Sequence, residues 1–270
     1  MPGRIRDIGD TLQQADSSAP PATIKVPGIT IGFWIIKILT TGMGETTSDF
    51  LVRSFDPPPI VVAAGALLAI SLAAQILSPR FSTWFYWWTV IVISVFGTMV
   101  ADVAHVALGI PYLVSTTVLG LALAAILVLW RRREGTLSIH SISTRRREIF
   151  YWATVLATFA LGTAAGDLTA STFGLGYLLS GVGFACLFVL PFLARRAGLL
   201  GEVAAFWTAY IITRPLGASF ADWMGVTPDR GGLNWGTGWV SIALAVYIAV
   251  AIAVTQRQEG VGDFTSAGDT

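Results

Sequence analysis

Ionisable side chains inside long apolar stretches are the residues of this sequence most able to do chemistry. Lys37, Glu45 and Asp49 lie within one such stretch, and Arg214 and Asp222 lie within another. On a helix that turns 100° per residue, the first three share a face roughly 120° wide. Because charged groups are costly in apolar surroundings, they typically mark a binding site or a pathway for ions or protons. We therefore predict that these residues belong to a buried polar site.

The spacing of these residues limits which of them can touch. Lys37 and Glu45 are separated by eight positions, which is about 12 Å of helical rise, so they cannot pair directly within one helix. We expect Lys37 to pair with a group on another helix. Pro215 follows Arg214 directly, and a proline kinks a helix and frees a backbone carbonyl. A kink beside a buried cation suits a gate or a binding site.

The elements that would hold these residues are membrane-spanning helices. Hydrophobic residues make up 54% of the chain and charged residues only 12%, against about 25% charged residues in soluble domains. Eight stretches approach the ~20 apolar residues that a bilayer requires. They are residues 29–51, 59–77, 84–106, 111–130, 149–171, 174–194, 203–224 and 238–255. The sequence predicts an all-α membrane protein with eight transmembrane helices, in a domain over residues 29–256.

Basic residues are unevenly shared between the two ends of these stretches. Arginines at 131–133 and 145–147 connect the fourth and fifth stretches, whereas the opposite side holds only Arg53 and Arg230. Positive residues are retained on the cytoplasmic side of a membrane, so we expect both termini in the cytoplasm. Residues 1–28 then form a cytoplasmic segment, and residues 257–270 form a disordered polar tail.

A repeat of one motif divides the chain into four similar units. In each, a tryptophan lies ten residues before a glycine, and an aspartate lies five residues after it. The four sets are Trp34, Gly44 and Asp49; Trp87, Gly97 and Asp102; Trp152, Gly162 and Asp167; and Trp207, Gly217 and Asp222. The repeats cover about residues 29–80, 84–133, 148–196 and 203–256. Each is predicted to be a two-helix hairpin, and the parallel hairpins form a pseudo-fourfold bundle or pack as two pairs.

The four aspartates of the repeat would lie at one level of such a bundle. Facing the axis, Asp49, Asp102, Asp167 and Asp222 would form a carboxylate ring of the kind that selects cations. Their oxygens suit magnesium, calcium or manganese, although the sequence does not identify a metal. The alternative is that each carboxylate reaches interfacial water or caps a neighbouring helix.

The glycines and tryptophans of the repeat have simpler interpretations. Small residues let helices approach closely, and we favour this role for the four glycines over a pore constriction lined by backbone. The tryptophans lie about 15 Å before the glycines by helical rise. We expect them to be anchors at the membrane interface.

His105 lies three residues after Asp102, so the two share a helical face. A titrating pair of this kind suits proton coupling, but a lone histidine is more often only a hydrogen-bonding group. With two histidines and one cysteine in the chain, there are too few ligands for a zinc or haem site. We predict no cofactor.

The repeat with its tryptophan resembles a known family. The chain is similar to bacterial membrane proteins built from four tandem copies of a two-helix repeat of unknown function, each with a signature tryptophan. The resemblance covers about residues 28–256. It implies a helical fold and a place in the bacterial cytoplasmic membrane, and it implies no activity, substrate or catalytic residue.

The charged residues nevertheless favour one function. We expect a transporter or permease for a small solute, either a cation or a proton-coupled substrate, and not an enzyme. Its partners would be the lipid bilayer and a small cation or proton, with no nucleic acid; the oligomeric state is open. The alternatives are a membrane redox or enzymatic helper, and a structural or sensory membrane subunit without transport.

Overall fold

The computed structural model describes residues 24–267, so most of the predicted N-terminal segment lies outside it. Within this range the chain forms eight α-helices and no strand. They are α1 (Ile31–Ser54), α2 (Pro57–Leu77), α3 (Thr83–Asp102), α4 (Tyr112–Glu134), α5 (Arg145–Asp167), α6 (Gly176–Arg196), α7 (Glu202–Gly225) and α8 (Thr237–Ala267). The bounds of α8 pass residue 257, and the disordered tail stays a prediction.

Side-chain caps start three of the four odd-numbered helices. The hydroxyl of Thr30 accepts from the Phe33 amide at the start of α1, and Ser82 and Thr144 do the same for α3 and α5. Such a cap satisfies an amide that has no partner within the helix. These local signals fix where the inner helices begin, at the end of the bundle that also carries the arginine runs. We call this the arginine end and the opposite one the aspartate end.

The odd-numbered helices form a closed inner ring. Helix α1 packs on α3, α3 on α5, α5 on α7, and α7 again on α1. This is the pseudo-fourfold arrangement that the repeat predicts. The even-numbered helices lie outside, and each packs mainly on the inner helix of the next repeat: α2 on α3, α4 on α5, α6 on α7 and α8 on α1. The two helices of one repeat therefore pack mainly on helices of other repeats and only slightly on each other.

The outer surface of the ring is suited to lipid. Six helices are long and apolar enough to cross a membrane, namely α2 to α6 and α8. Large apolar side chains such as Val62, Leu121 and Val246 are exposed on the outer helices, as expected where lipid replaces water. A helical membrane protein is supported, but eight spans are not confirmed. Helices α1 and α7 are not among these six, and they carry Lys37, Glu45 and Arg214 within their length.

The described part of the N-terminal segment closes over the arginine end. The Lys25 ammonium donates to Glu148 Oε2 at 2.7 Å and to the Ile76 carbonyl at 3.3 Å, and the Lys25 amide donates to the Ile142 carbonyl. Val26 is buried in the core. Residues 24–30 thus join the end of the first repeat to the start of the third.

Candidate functional site

The four repeat glycines make equivalent contacts around the inner ring. Each packs against the residue that lies three positions before the glycine of the next repeat. The pairs are Gly44 with Ser94, Gly97 with Phe159, Gly162 with Arg214, and Gly217 with Thr41. A Cβ atom at any of these glycines would overlap its partner. The geometry supports close helix packing as the role of the glycines. The space at Gly162 is occupied by the Cβ and Cγ atoms of Arg214, whose side chain runs toward the axis.

Arg214 joins all four inner helices. Its Nη2 donates to Glu45 Oε2 at 2.7 Å, its Nη1 to the Thr41 carbonyl at 2.8 Å, and its Nε to the Phe159 carbonyl at 3.3 Å. The side chain is fully buried, and Glu45 is 3% exposed. A charge-assisted bond of this kind is strong where water is absent. Arg214 and Glu45, both predicted as site residues, therefore form the centre of the molecule.

Two threonines complete the centre, and the sequence reasoning missed them. Thr98 and Thr163 follow the glycines of repeats two and three, as Glu45 follows the glycine of repeat one. Both hydroxyls donate to Glu45 Oε2, at 3.3 and 3.2 Å, and both accept from Arg214 Nη2. We call Glu45, Thr98 and Thr163 the central cradle. The repeat alignment could have identified them, because the position directly after the repeat glycine is polar in three of the four repeats.

Lys37 lies one level nearer the arginine end, and the groups of other helices that it meets are aromatic rings. The fully buried ammonium group lies 4.0 Å from the Phe159 ring centroid and 4.3 Å from that of Tyr210. Within the described part of the chain, Nζ has no hydrogen-bond partner. Aromatic faces attract a cation but do not replace the hydrogen bonds of a buried ammonium group. Lys37 is thus a buried amine that faces aromatic rings and has no hydrogen-bond partner among the described residues.

The repeat aspartates share the aspartate end. Asp222 is buried, and Asp102 and Asp167 are partly exposed. Each of the three lies within electrostatic range of Glu45 and Asp49. Asp49 itself pairs with Arg53 at 2.6 Å. Among the residues that the structure describes, no group of three or more His, Cys, Asp or Glu has the geometry of a metal site. In the described part of the chain, the four carboxylates therefore share one end of the bundle without converging on a common ion site.

His105 does not bond to Asp102. Directly after Asp102 the helix widens into a π-helical turn, Val103–Ala107, which changes the face on which the histidine lies. The His105 Nδ1 atom lies 2.8 Å from the Ile110 carbonyl, and the ring stacks on Tyr112 at 3.5 Å between centroids. These contacts favour the simpler interpretation, in which His105 is a hydrogen-bonding group of the loop.

The repeat tryptophans form a belt within the bundle. Trp87, Trp152 and Trp207 are at most 4% exposed, and Trp34 is half-buried. Each packs at a tilted angle on the aromatic residue that precedes the tryptophan of the previous repeat in the ring. The ring pairs are Phe33 with Trp87, Tyr86 with Trp152, Tyr151 with Trp207, and Phe206 with Trp34. The prediction of interfacial anchors is wrong for the three buried rings, which instead seal the arginine end.

An inner ring of four repeated helices inside an apolar outer layer defines a repeat-built helical membrane protein. The chain belongs to the family described as Repeat of Unknown Function (DUF347), which matches residues 32–81, 85–136, 150–197 and 205–260. The predicted four tandem repeats are thereby confirmed. No curated protein and no solved structure matches the chain.

Proposed function

We propose that this protein is a membrane carrier for a small monovalent cation. The observation that carries the proposal is the central cradle, in which Glu45, Thr98 and Thr163 direct three oxygens at one positively charged nitrogen of Arg214. Oxygen ligands suit hard cations, and the single carboxylate matches a single positive charge. In this conformation Arg214 is itself the occupant of the cation site.

A resident guanidinium group favours a carrier over an open channel. An incoming cation has to displace Arg214 Nη2 from the cradle, and Arg214 also bonds to α1 and α5 through the Thr41 and Phe159 carbonyls. Loading of the site is therefore linked to the packing of three inner helices.

The carrier requires α1 and α7 to cross the membrane together with the six more apolar helices. Both have 24 residues, enough for a bilayer at about 1.5 Å per residue. A polar helix is tolerated at this depth where its neighbours, rather than lipid, surround it. With the arginine end in the cytoplasm, the carboxylates would face the outside.

Replacing Glu45 by glutamine is expected to abolish transport. Purified protein in liposomes is tested for saturable uptake of radiolabelled Na⁺, Rb⁺ and guanidinium. Wild-type protein should carry at least one of these ions. In Glu45→Gln the uptake should fall by at least about tenfold, because losing a charge partner costs more than ~1.4 kcal/mol.

Two further variants serve as controls for this result. The double variant Glu45→Gln/Arg214→Gln removes both charges and should be equally inactive without leaving a buried charge unpaired. Glu202→Gln, at an exposed carboxylate of the arginine end, should transport like wild type. The proposal would be overturned by wild-type liposomes that carry none of the three ions, or by Glu45→Gln and the double variant both carrying them at the wild-type rate.

A further inference from the structure

We propose that Lys37 binds the proton that this carrier exchanges for its cation. The inference rests on the proposed function and adds the coupling ion. It starts from the geometry of Lys37, whose amine is fully buried, lies between two aromatic rings and has no hydrogen-bond partner among the described residues. A buried amine without a partner is held in its neutral form more readily than a paired one.

Among the residues that the structure describes, the groups around Lys37 provide no anion to hold a permanent charge. Helix α7 brings Tyr210 and Arg214 to it, and the guanidinium group of Arg214 repels a second positive charge. Helix α5 offers Phe159. At the position of Lys37, helices α3 and α5 carry the fully buried Val90 and Val155. The ammonium form of Lys37 is thus stable only while the remaining positive charge near the cradle is low.

Charge balance then makes the proton and the cation exclude each other. With neutral Lys37, the ion pair of Arg214 and Glu45 leaves the centre uncharged. Either a proton on Lys37 or a cation in the cradle adds a single positive charge, and both together add two in a poorly polarisable interior. At about 12 Å, the helical rise between Lys37 and Glu45, this repulsion weakens cation binding by about tenfold. Mutual exclusion of two ions is the condition for exchange.

A row of tyrosine hydroxyls approaches Lys37 from the arginine end. The hydroxyls of Tyr86 and Tyr151 are hydrogen-bonded to each other. The Tyr210 hydroxyl is near that of Tyr151, is buried, and has no hydrogen-bond partner in the described part of the chain. Its ring is one of the two that cover the Lys37 amine. Hydroxyls both donate and accept, so these tyrosines place exchangeable protons within the otherwise apolar aromatic belt, although no hydrogen bond among the described residues joins them to Lys37.

The test follows proton movement in liposomes that contain a pH-sensitive dye. Vesicles are loaded with whichever of Na⁺, Rb⁺ and guanidinium the wild-type protein carries, and are then diluted into medium without it. In wild type, outflow of the cation should acidify the interior. In Lys37→Met the pH change should fall at least about tenfold, because the thioether cannot bind the proton, whereas exchange of labelled for unlabelled cation should persist.

Two companion measurements keep the test decisive. Lys37→Arg retains a charge that cannot be released, so it should lose both the pH change and tight cation binding. In weak buffer, adding the cation to purified wild-type protein should release a proton, and adding it to Lys37→Met should release none. Proton release that survives in Lys37→Met would assign it to the aspartates and overturn the inference.

Failure of the proposed carrier function and failure of the proposed role of Lys37 give different results. If wild-type liposomes carry no cation, the proposed function is wrong, and the inference falls with it. If wild type carries a cation and Lys37→Met still couples its flow to protons at the wild-type rate, the carrier stands and only the role of Lys37 is wrong.

Lys37→Met should melt at or above the wild-type temperature, since it removes an unpartnered buried amine. If it nevertheless fails to fold, loss of the pH change in Lys37→Arg and proton release from wild type remain, and absence of either contradicts the inference.

Discussion

Arg214→Leu is expected to lower the free energy of unfolding by about 3–5 kcal/mol, the typical cost of removing one member of a buried ion pair. The variant leaves Glu45, which is 3% exposed, without its counter-charge. It also leaves the Thr41 and Phe159 carbonyls without the donors they have in wild type. Thermal unfolding in detergent, followed by tryptophan fluorescence, measures the loss.

A matched control comes from a second arginine–carboxylate pair in the same molecule. Arg53 and Asp49 pair at the same distance of 2.6 to 2.7 Å as Arg214 and Glu45, but the Arg53 side chain is 50% exposed. Arg53→Leu should cost at most about 1 kcal/mol. The double variant Arg214→Leu/Glu45→Leu should recover much of the loss. Equal melting of the two single variants would show that burial does not make the central pair important.

Gly217→Ala is expected to destabilise the protein by about 1–3 kcal/mol through overpacking. The new Cβ atom would overlap the Thr41 hydroxyl and lie 2.7 Å from the Ile38 carbonyl oxygen. Helices α1 and α7 would have to separate, and this interface also brings Glu45 to Arg214. Transport should therefore fall together with stability, and both can be measured on the same purified sample.

Gly183→Ala is expected to have the opposite effect on stability. Gly183 is exposed on α6, and nothing lies within 4 Å of a Cβ atom built there. Because alanine is the better helix former, the change should stabilise by up to about 1 kcal/mol. If both glycine variants gained stability, the close approach of α1 and α7 would not be a constraint on the fold.

The sequence predicted the inner ring well and the outer helices poorly. A fixed spacing from tryptophan to glycine to aspartate identifies equivalent residues, so it determines which four helices are alike and that they run in parallel. It contains no information on which neighbour an outer helix covers, because short connections permit packing on either side. The prediction that the tryptophans are interfacial anchors failed for a similar reason. Their rings suit both an interface and a core, and the partner rings that decide between these belong to other repeats.

Sequence reasoning identified the charged residues of the candidate site but missed the neutral ones. Lys37, Glu45 and Arg214 stand out because ionisable groups are rare in apolar stretches. Thr98 and Thr163 carry no such signal, since a threonine in a helix can satisfy its hydroxyl on its own backbone. The environment of Lys37 could not be predicted either, because the faces of Phe159 and Tyr210 meet it only once the ring is closed. The π-helical turn that separates His105 from Asp102 has no recognised spacing rule.

The circular order of the helices has a consequence for biogenesis. Helix α1 is covered by α8, and the carboxylate of Glu45 meets its guanidinium partner 169 residues further along the chain. During synthesis the first repeat is therefore made with an acid whose counter-charge lies in the last repeat. The ring closes only when the last repeat is present, so a chain that ends before it leaves Glu45 without its counter-charge.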